Sequence, residues 1–181
     1  MKRSYVVPIS MALLLTLPML SPNVASADPI PAPSPTPAPT PATGPTLVGY
    51  QQNTSYVIQR ALSQRGVPFL YGGGNAAGPT RGTGLNANVV GFDASGLIQY
   101  AYAGAGLKMP RTSGEQCNVG RKVAPSQARP GDLLCYGPSG TQSVAMYLGN
   151  NQMIEATDPA VAVTPARTTN MVPYLTRILE S

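Results

Sequence analysis

No histidine occurs anywhere in the 181 residues. Neither of the two cysteines, Cys117 and Cys135, therefore has an imidazole to serve as its base, and a histidine-based metal site is excluded. Charge is sparse, at 10% of residues. The Lys and Arg side chains form no run and are not interleaved with aromatics, which argues against nucleic acid as a partner. A run long enough to span a membrane is also missing, since the apolar stretch from Ile9 to Leu20 falls short of the roughly 20 residues required. Gly72-Gly73-Gly74 is followed by no Lys-Ser or Lys-Thr and opens no helix, so a phosphate loop is rejected. No metal or other cofactor is expected.

What is present begins with an export signal. Lys2 and Arg3 precede the apolar run, and Ala25-Ser26-Ala27 has the small-residue pattern of a signal peptidase site. A signal peptide over 1–27 follows, with no nearby Cys to carry a lipid. Residues 28–46 hold eight prolines alternating mostly with Ala, Ser and Thr, a composition that buries little and favours extended conformations. They read as a semi-rigid spacer or as plain disorder. Residues 47–181 are one domain's worth of chain. Losing Lys2 and Arg3 leaves ten basic against seven acidic residues, a net charge near +3 that favours an anionic polymer such as a cell wall.

The domain is organised around Gly91-Phe92-Asp93-Ala94-Ser95-Gly96. Asp93 is a strong N-cap type, and Leu97, Ile98, Ala101 and Tyr102 behind it form one apolar helical face ending near Gly104 or Gly106. The first turn of such a helix has free N–H groups and the positive end of the dipole, a setting suited to a thiolate nucleophile or an anion. Position 94, where a nucleophile would sit, is alanine.

The remaining pattern predicts a helix over 54–65, capped by Asn53 or Thr54 and stopped by Gly66, then an extended piece from Phe69 to Tyr71 and a long loop over 72–91. Thr112 and Glu115, or Ser113 and Gln116, have capping-box spacing for a short helix to about Gly120. Strands are predicted at 132–136, 143–148, 152–157, 161–164 and 174–180, with Gly149-Asn150-Asn151 as a hairpin connection. Helices first and antiparallel strands second give an α+β domain. Cys135 reads as a packed thiol in a buried strand and Cys117 as a free surface thiol, with a disulfide between them the less favoured reading.

Four stretches together, Gly66-Val67-Pro68-Phe69-Leu70-Tyr71-Gly72-Gly73-Gly74, Gly91 to Leu97, Arg129-Pro130-Gly131-Asp132-Leu133-Leu134, and Gln142 to Gly149 followed by Met153-Ile154-Glu155-Ala156, resemble the ordered motifs of the NlpC-type papain-like cysteine peptidases. The resemblance covers 48–180 and is nearest to the actinobacterial Rip group, in particular to a catalytically degenerate member. It implies a papain-like α+β domain, N-terminal helices packed on a C-terminal antiparallel sheet. Active members cut peptidoglycan stem peptides next to the D-glutamyl to diaminopimelate link with a Cys, a His and a polar residue that orients the His. Carried over by motif, those positions are Ala94, Ser143 and Glu155, and a hydroxyl that active relatives place near the nucleophile is lost at Phe69.

Other chemistries fare worse. Asp93 and Glu155 as a glycosidase pair compete with the helix-cap role of Asp93, and Ser95 or Ser143 has no base. Glu155 reads equally as a solvated remnant and as a ligand contact. Tyr100, Tyr102 and Tyr147 read as packing, while Arg81, Lys108 and Arg111 are candidates for stem-peptide carboxylates against a reading as solvated surface. The expectation is a secreted, cell-wall-associated monomer without hydrolase activity, with no cofactor, that binds peptidoglycan stem peptide in a cleft formed by Phe69, Asp93, Ala94, Ser95, Ser143 and Glu155. The rival is a regulator that docks on active cell-wall hydrolases, and a weaker one is a residual hydrolase with atypical residues.

Overall fold

The computed structural model describes residues 47–83 and 88–180, with side chains from residue 49. The signal peptide over 1–27 and the spacer over 28–46 lie outside the described residues.

Helix α1, Leu47–Leu62, leads into an extended segment and a two-stranded antiparallel pair, β1 (Thr80–Arg81) with β2 (Val90–Gly91). Helix α2, Ala94–Ala103, follows, then the single-turn helix α3, Ser113–Gln116. The second half supplies β3 (Arg121–Val123), β4 (Leu133–Tyr136), β5 (Ser143–Gly149), β6 (Gln152–Thr157), β7 (Ala160–Pro165) and β8 (Met171–Arg177). These six form one antiparallel sheet in the order β3-β8-β4-β5-β6-β7.

Strand alternation divides the core. Cys135, Val144, Met146, Ile154 and Ala156 point to the face that receives Phe92, Leu97, Ile98, Ala101 and Tyr102, all of them buried. Leu134, Tyr136, Ala145, Met153 and Leu175 form a smaller cluster on the opposite face. β4 is therefore buried on both sides, which is why Leu133 to Tyr136 reads as an unbroken apolar run instead of an alternating one. The buried Tyr102 hydroxyl donates to the Gly131 carbonyl, tying α2 to the turn before β4, and burial raises its pKa. At that same turn Asp132 receives both guanidinium arms of Arg177 at 2.8 and 2.7 Å, a pair with about 4% and 2% of its side chains exposed.

Local sequence explains most boundaries. Asp93 caps α2 by accepting from Gly96 N at 2.7 Å, and Thr112 with Glu115 makes the reciprocal capping box of α3. Asn150 and Asn151 take φ of 48° and 55°, the positive pair that a two-residue hairpin requires.

Other expectations need correction. α1 begins seven residues before position 54, because Thr54 packs inward near Gly131 instead of capping a helix. Helix α3 stops at Gln116 and gives way to β3, where the sequence suggested helix to about Gly120. β8 starts at Met171, ahead of the expected 174: Pro173 is exposed in a bulge where the register against β4 shifts between Leu134 and Tyr136, a place that tolerates a missing donor. Finally, Cys117 and Cys135 are not free thiols. They form a disulfide, both residues fully buried, that joins the end of α3 to the middle of β4.

Candidate functional site

The N-terminus of α2 opens into a cleft of about 550 Å³ between the helix, the segment Arg111 to Ser113, and the start of β5. The backbone comes unusually close here. A Cβ on Gly96 would lie 2.3 Å from Gly73 O, and one on Gly74 2.2 Å from the Phe92 ring, so the glycine triplet serves close packing of chain against helix.

The Asp93 carboxylate is the centre of the wall. Its Oδ1 accepts from Gly96 N, Ser95 Oγ at 3.1 Å and Arg111 Nη1 at 3.0 Å; its Oδ2 accepts from Gly72 N at 3.0 Å and Arg111 Nη2 at 2.7 Å. Arg111 also donates to Ser95 Oγ at 2.8 Å and to Gly73 O at 3.2 Å. Five donors occupy one carboxylate, and the helix start, the glycine segment and the Arg111 segment are stitched at that point.

Ala94 follows directly, half-buried, with its methyl where the cleft meets the helix N-terminus. Phe69, Asp93, Ala94, Ser95 and Ser143 all line the cleft. Glu155 does not. It sits within β6, 3% exposed, its Oε1 accepting from Arg167 Nη1 at 2.6 Å and Thr164 Oγ1 at 2.9 Å. Because β5 and β6 pair Met146 with Ile154, alternation puts Ser143 and Glu155 on the same face of the sheet. Glu155 is thus buried and paired and not the solvated remnant that was one of the two readings the sequence left open. Its hydrogen bond raises the pKa of Arg167, whose guanidinium lies 4.3 Å from the centroid of Tyr136. Burial pushes the Tyr136 hydroxyl up to about 12.

Of the three candidate cations, Arg111 alone lines the cleft; Lys108 lines a separate hollow with Leu107 and Met109. The spacing of Arg167 from Glu155 carried no signal in sequence, and neither did the rim residue Tyr71, which is 75% exposed on the lip of the cleft. Among the described residues, no group of three or more His, Cys, Asp or Glu side chains is arranged to hold a metal, and no helix is long and apolar enough to cross a membrane.

Helices leading into one antiparallel sheet, with α2 packed on its face, make this a papain-like α+β fold. Residues 66–180 match the NlpC/P60 family, and the chain belongs to it. It is 53% identical over 132 residues to the peptidoglycan endopeptidases RipA and RipB of Mycobacterium tuberculosis, in each case over 72% of this chain. Those 132 residues cover 28% of RipA and 55% of RipB, so the chain spans about half or less of the curated relatives it matches. Among solved structures it is similar to RipD of M. tuberculosis, described as a non-catalytic NlpC/p60 domain protein adapted to peptidoglycan binding: 66% identity, TM-score 0.69, covering 72% of this chain and 100% of that one. RipA has been solved with mutations at a cysteine, a histidine and a glutamate, and these three are separated by the same intervals along the chain as Ala94, Ser143 and Glu155.

Proposed function

We propose that this chain is an exported, non-catalytic peptidoglycan-binding protein that takes the stem peptide in the cleft at the N-terminus of α2. One observation carries the reading: the cleft residue at the helix start is Ala94, in a chain with no histidine. An alanine methyl offers no nucleophile, and Ser143 across the cleft has no base to draw on. Loss of a triad nucleophile costs roughly a millionfold in rate. The likeness to RipD and the interval match with the RipA positions support assigning Ala94, Ser143 and Glu155 as a degenerate triad. In this reading Phe69, Ala94, Ser95 and Ser143 contact ligand, while Asp93 and Glu155 hold the walls in place.

Residues 1–27 then serve as the export signal and 28–46 as a spacer that carries the domain over 47–181 away from its neighbours. The buried disulfide supports export, because such bonds persist in oxidising compartments.

The test is sedimentation of the purified protein with insoluble peptidoglycan, together with a search for released stem-peptide fragments. Co-sedimentation without fragments is expected. Fragment release that survives further purification and disappears on a substitution in this cleft would overturn the reading, as would absence from the pellet.

A further inference from the structure

The cleft has no net charge to offer a ligand. Among the described residues that line it, Asp93 and Arg111 are the charged ones, and they are spent on each other. All four terminal N–H bonds of Arg111 are committed: two to Asp93 Oδ1 and Oδ2, one to Ser95 Oγ and one to Gly73 O. The Asp93 carboxylate in turn takes five donors, so neither partner is free to turn outward. The rest of the wall is neutral and rich in hydroxyls and amides, including Thr83, Ser113, Gln142, Ser143 and Thr157. Arg81 and Lys108, the other cations that the sequence offered for ligand carboxylates, do not line the cleft.

Resting on the reading of this cleft as a stem-peptide site, the geometry points to a pocket that selects the uncharged, carboxamide form of its peptide ligand over the free carboxylate form. A carboxylate brought here loses water and meets no unpaired cation: the start of α2, which would otherwise favour an anion, is already capped by the Asp93 carboxylate, and the remaining Arg111 Nε–H is a single donor on a pair whose total charge is zero. A carboxamide carries no such charge and finds hydroxyls able to donate and to accept. The Asp93–Arg111 pair is therefore the element that sets specificity, by cancelling the one positive charge in the cleft.

The experiment uses two synthetic stem peptides that differ only in whether the glutamyl and diaminopimelyl side carboxyls are free or amidated. Calorimetric titration into the purified full chain should give tighter binding of the amidated peptide by about tenfold, the scale of an uncompensated buried charge. Asp93→Asn keeps a good N-cap while leaving Arg111 uncancelled, and should shift the preference towards the free acid. Arg111→Gln leaves the carboxylate uncancelled and should widen the preference for the amide; it decides the matter if the first variant fails to fold. Equal or tighter binding of the acid by the parent chain, or a ratio that neither variant moves, would overturn the selectivity alone. No binding of either peptide would overturn the stem-peptide reading and the selectivity with it.

Discussion

Replacing both Cys117 and Cys135 by alanine should cost this domain about 3 kcal/mol through the unfolded chain alone. The two residues are 18 apart, and a crosslink closing a loop of that size removes about 3 kcal/mol of chain entropy from the denatured state. Both side chains are fully buried, so the double alanine variant also leaves space in the core, worth up to about 1 kcal/mol per deleted group. Reduction without substitution isolates the first contribution. In a domain of this size each kcal/mol moves the midpoint by roughly 3 °C, so reduction should lower Tm by about 10 °C and the double variant by somewhat more. With no tryptophan in the chain, far-ultraviolet circular dichroism is the suitable signal. The fully buried sulfurs should resist reductant until the domain is unfolded, so the reduced protein is prepared in denaturant and refolded. A reduced, refolded protein melting within about 2 °C of the oxidised one would refute the reasoning, since it would mean the bond constrains nothing that the native contacts do not already fix.

Removing one partner of the Asp132–Arg177 pair, by Asp132→Asn or Arg177→Met, should destabilise by about 3–5 kcal/mol in urea denaturation, because the other group is left buried and uncompensated. Wall binding should weaken with salt yet persist at about 0.5 M, where surface charge is strongly screened; full release there would assign binding to net charge and not to the cleft. Ala94→Cys, made where Cys117 and Cys135 remain bonded to each other, should alkylate with a lower apparent thiol pKa once Ser143→His is added. An unchanged pKa would show that positions 94 and 143 do not face each other across the cleft.

The elements that organise the domain were legible because their signals are local. Asp93 three residues before Gly96, with an apolar face behind it, marks α2 whatever the rest of the chain does. The α+β order and the strands follow from short local patterns: a four-residue apolar run for β4, and the segments on either side of an Asn-Asn turn for β5 and β6. What stayed hidden depends on the register of distant strands. Cys117 meets Cys135 because a one-turn helix docks beside Gly140, where an added Cβ would lie 2.7 Å from the Cys117 sulfur; nothing near either cysteine in sequence announces that contact. Arg111 and Arg167 are single charges on otherwise unremarkable segments. Their partners, Asp93 and Glu155, become visible only when the chain has closed on itself.

Under the proposed function, that closure also accounts for which positions of the site kept their chemistry. On our reading of the triad, the nucleophile and base positions hold Ala94 and Ser143, neither of which forms an ion pair. Glu155 is different. It is 3% exposed, bound by Thr164 and Arg167, and its removal would leave the Arg167 guanidinium without the carboxylate that holds it over Tyr136. Asp93 is likewise fixed by the cap of α2 and by Arg111. A residue employed only in turnover can be lost once turnover is no longer needed, whereas a carboxylate that holds neighbouring segments together is retained by stability itself. If so, Glu155→Gln should lower the unfolding free energy by about 1–3 kcal/mol, the scale of a weakened charged hydrogen bond, and leave peptide affinity unchanged. A variant of full stability that had lost its ligand would instead place Glu155 in recognition and undo this account of its survival.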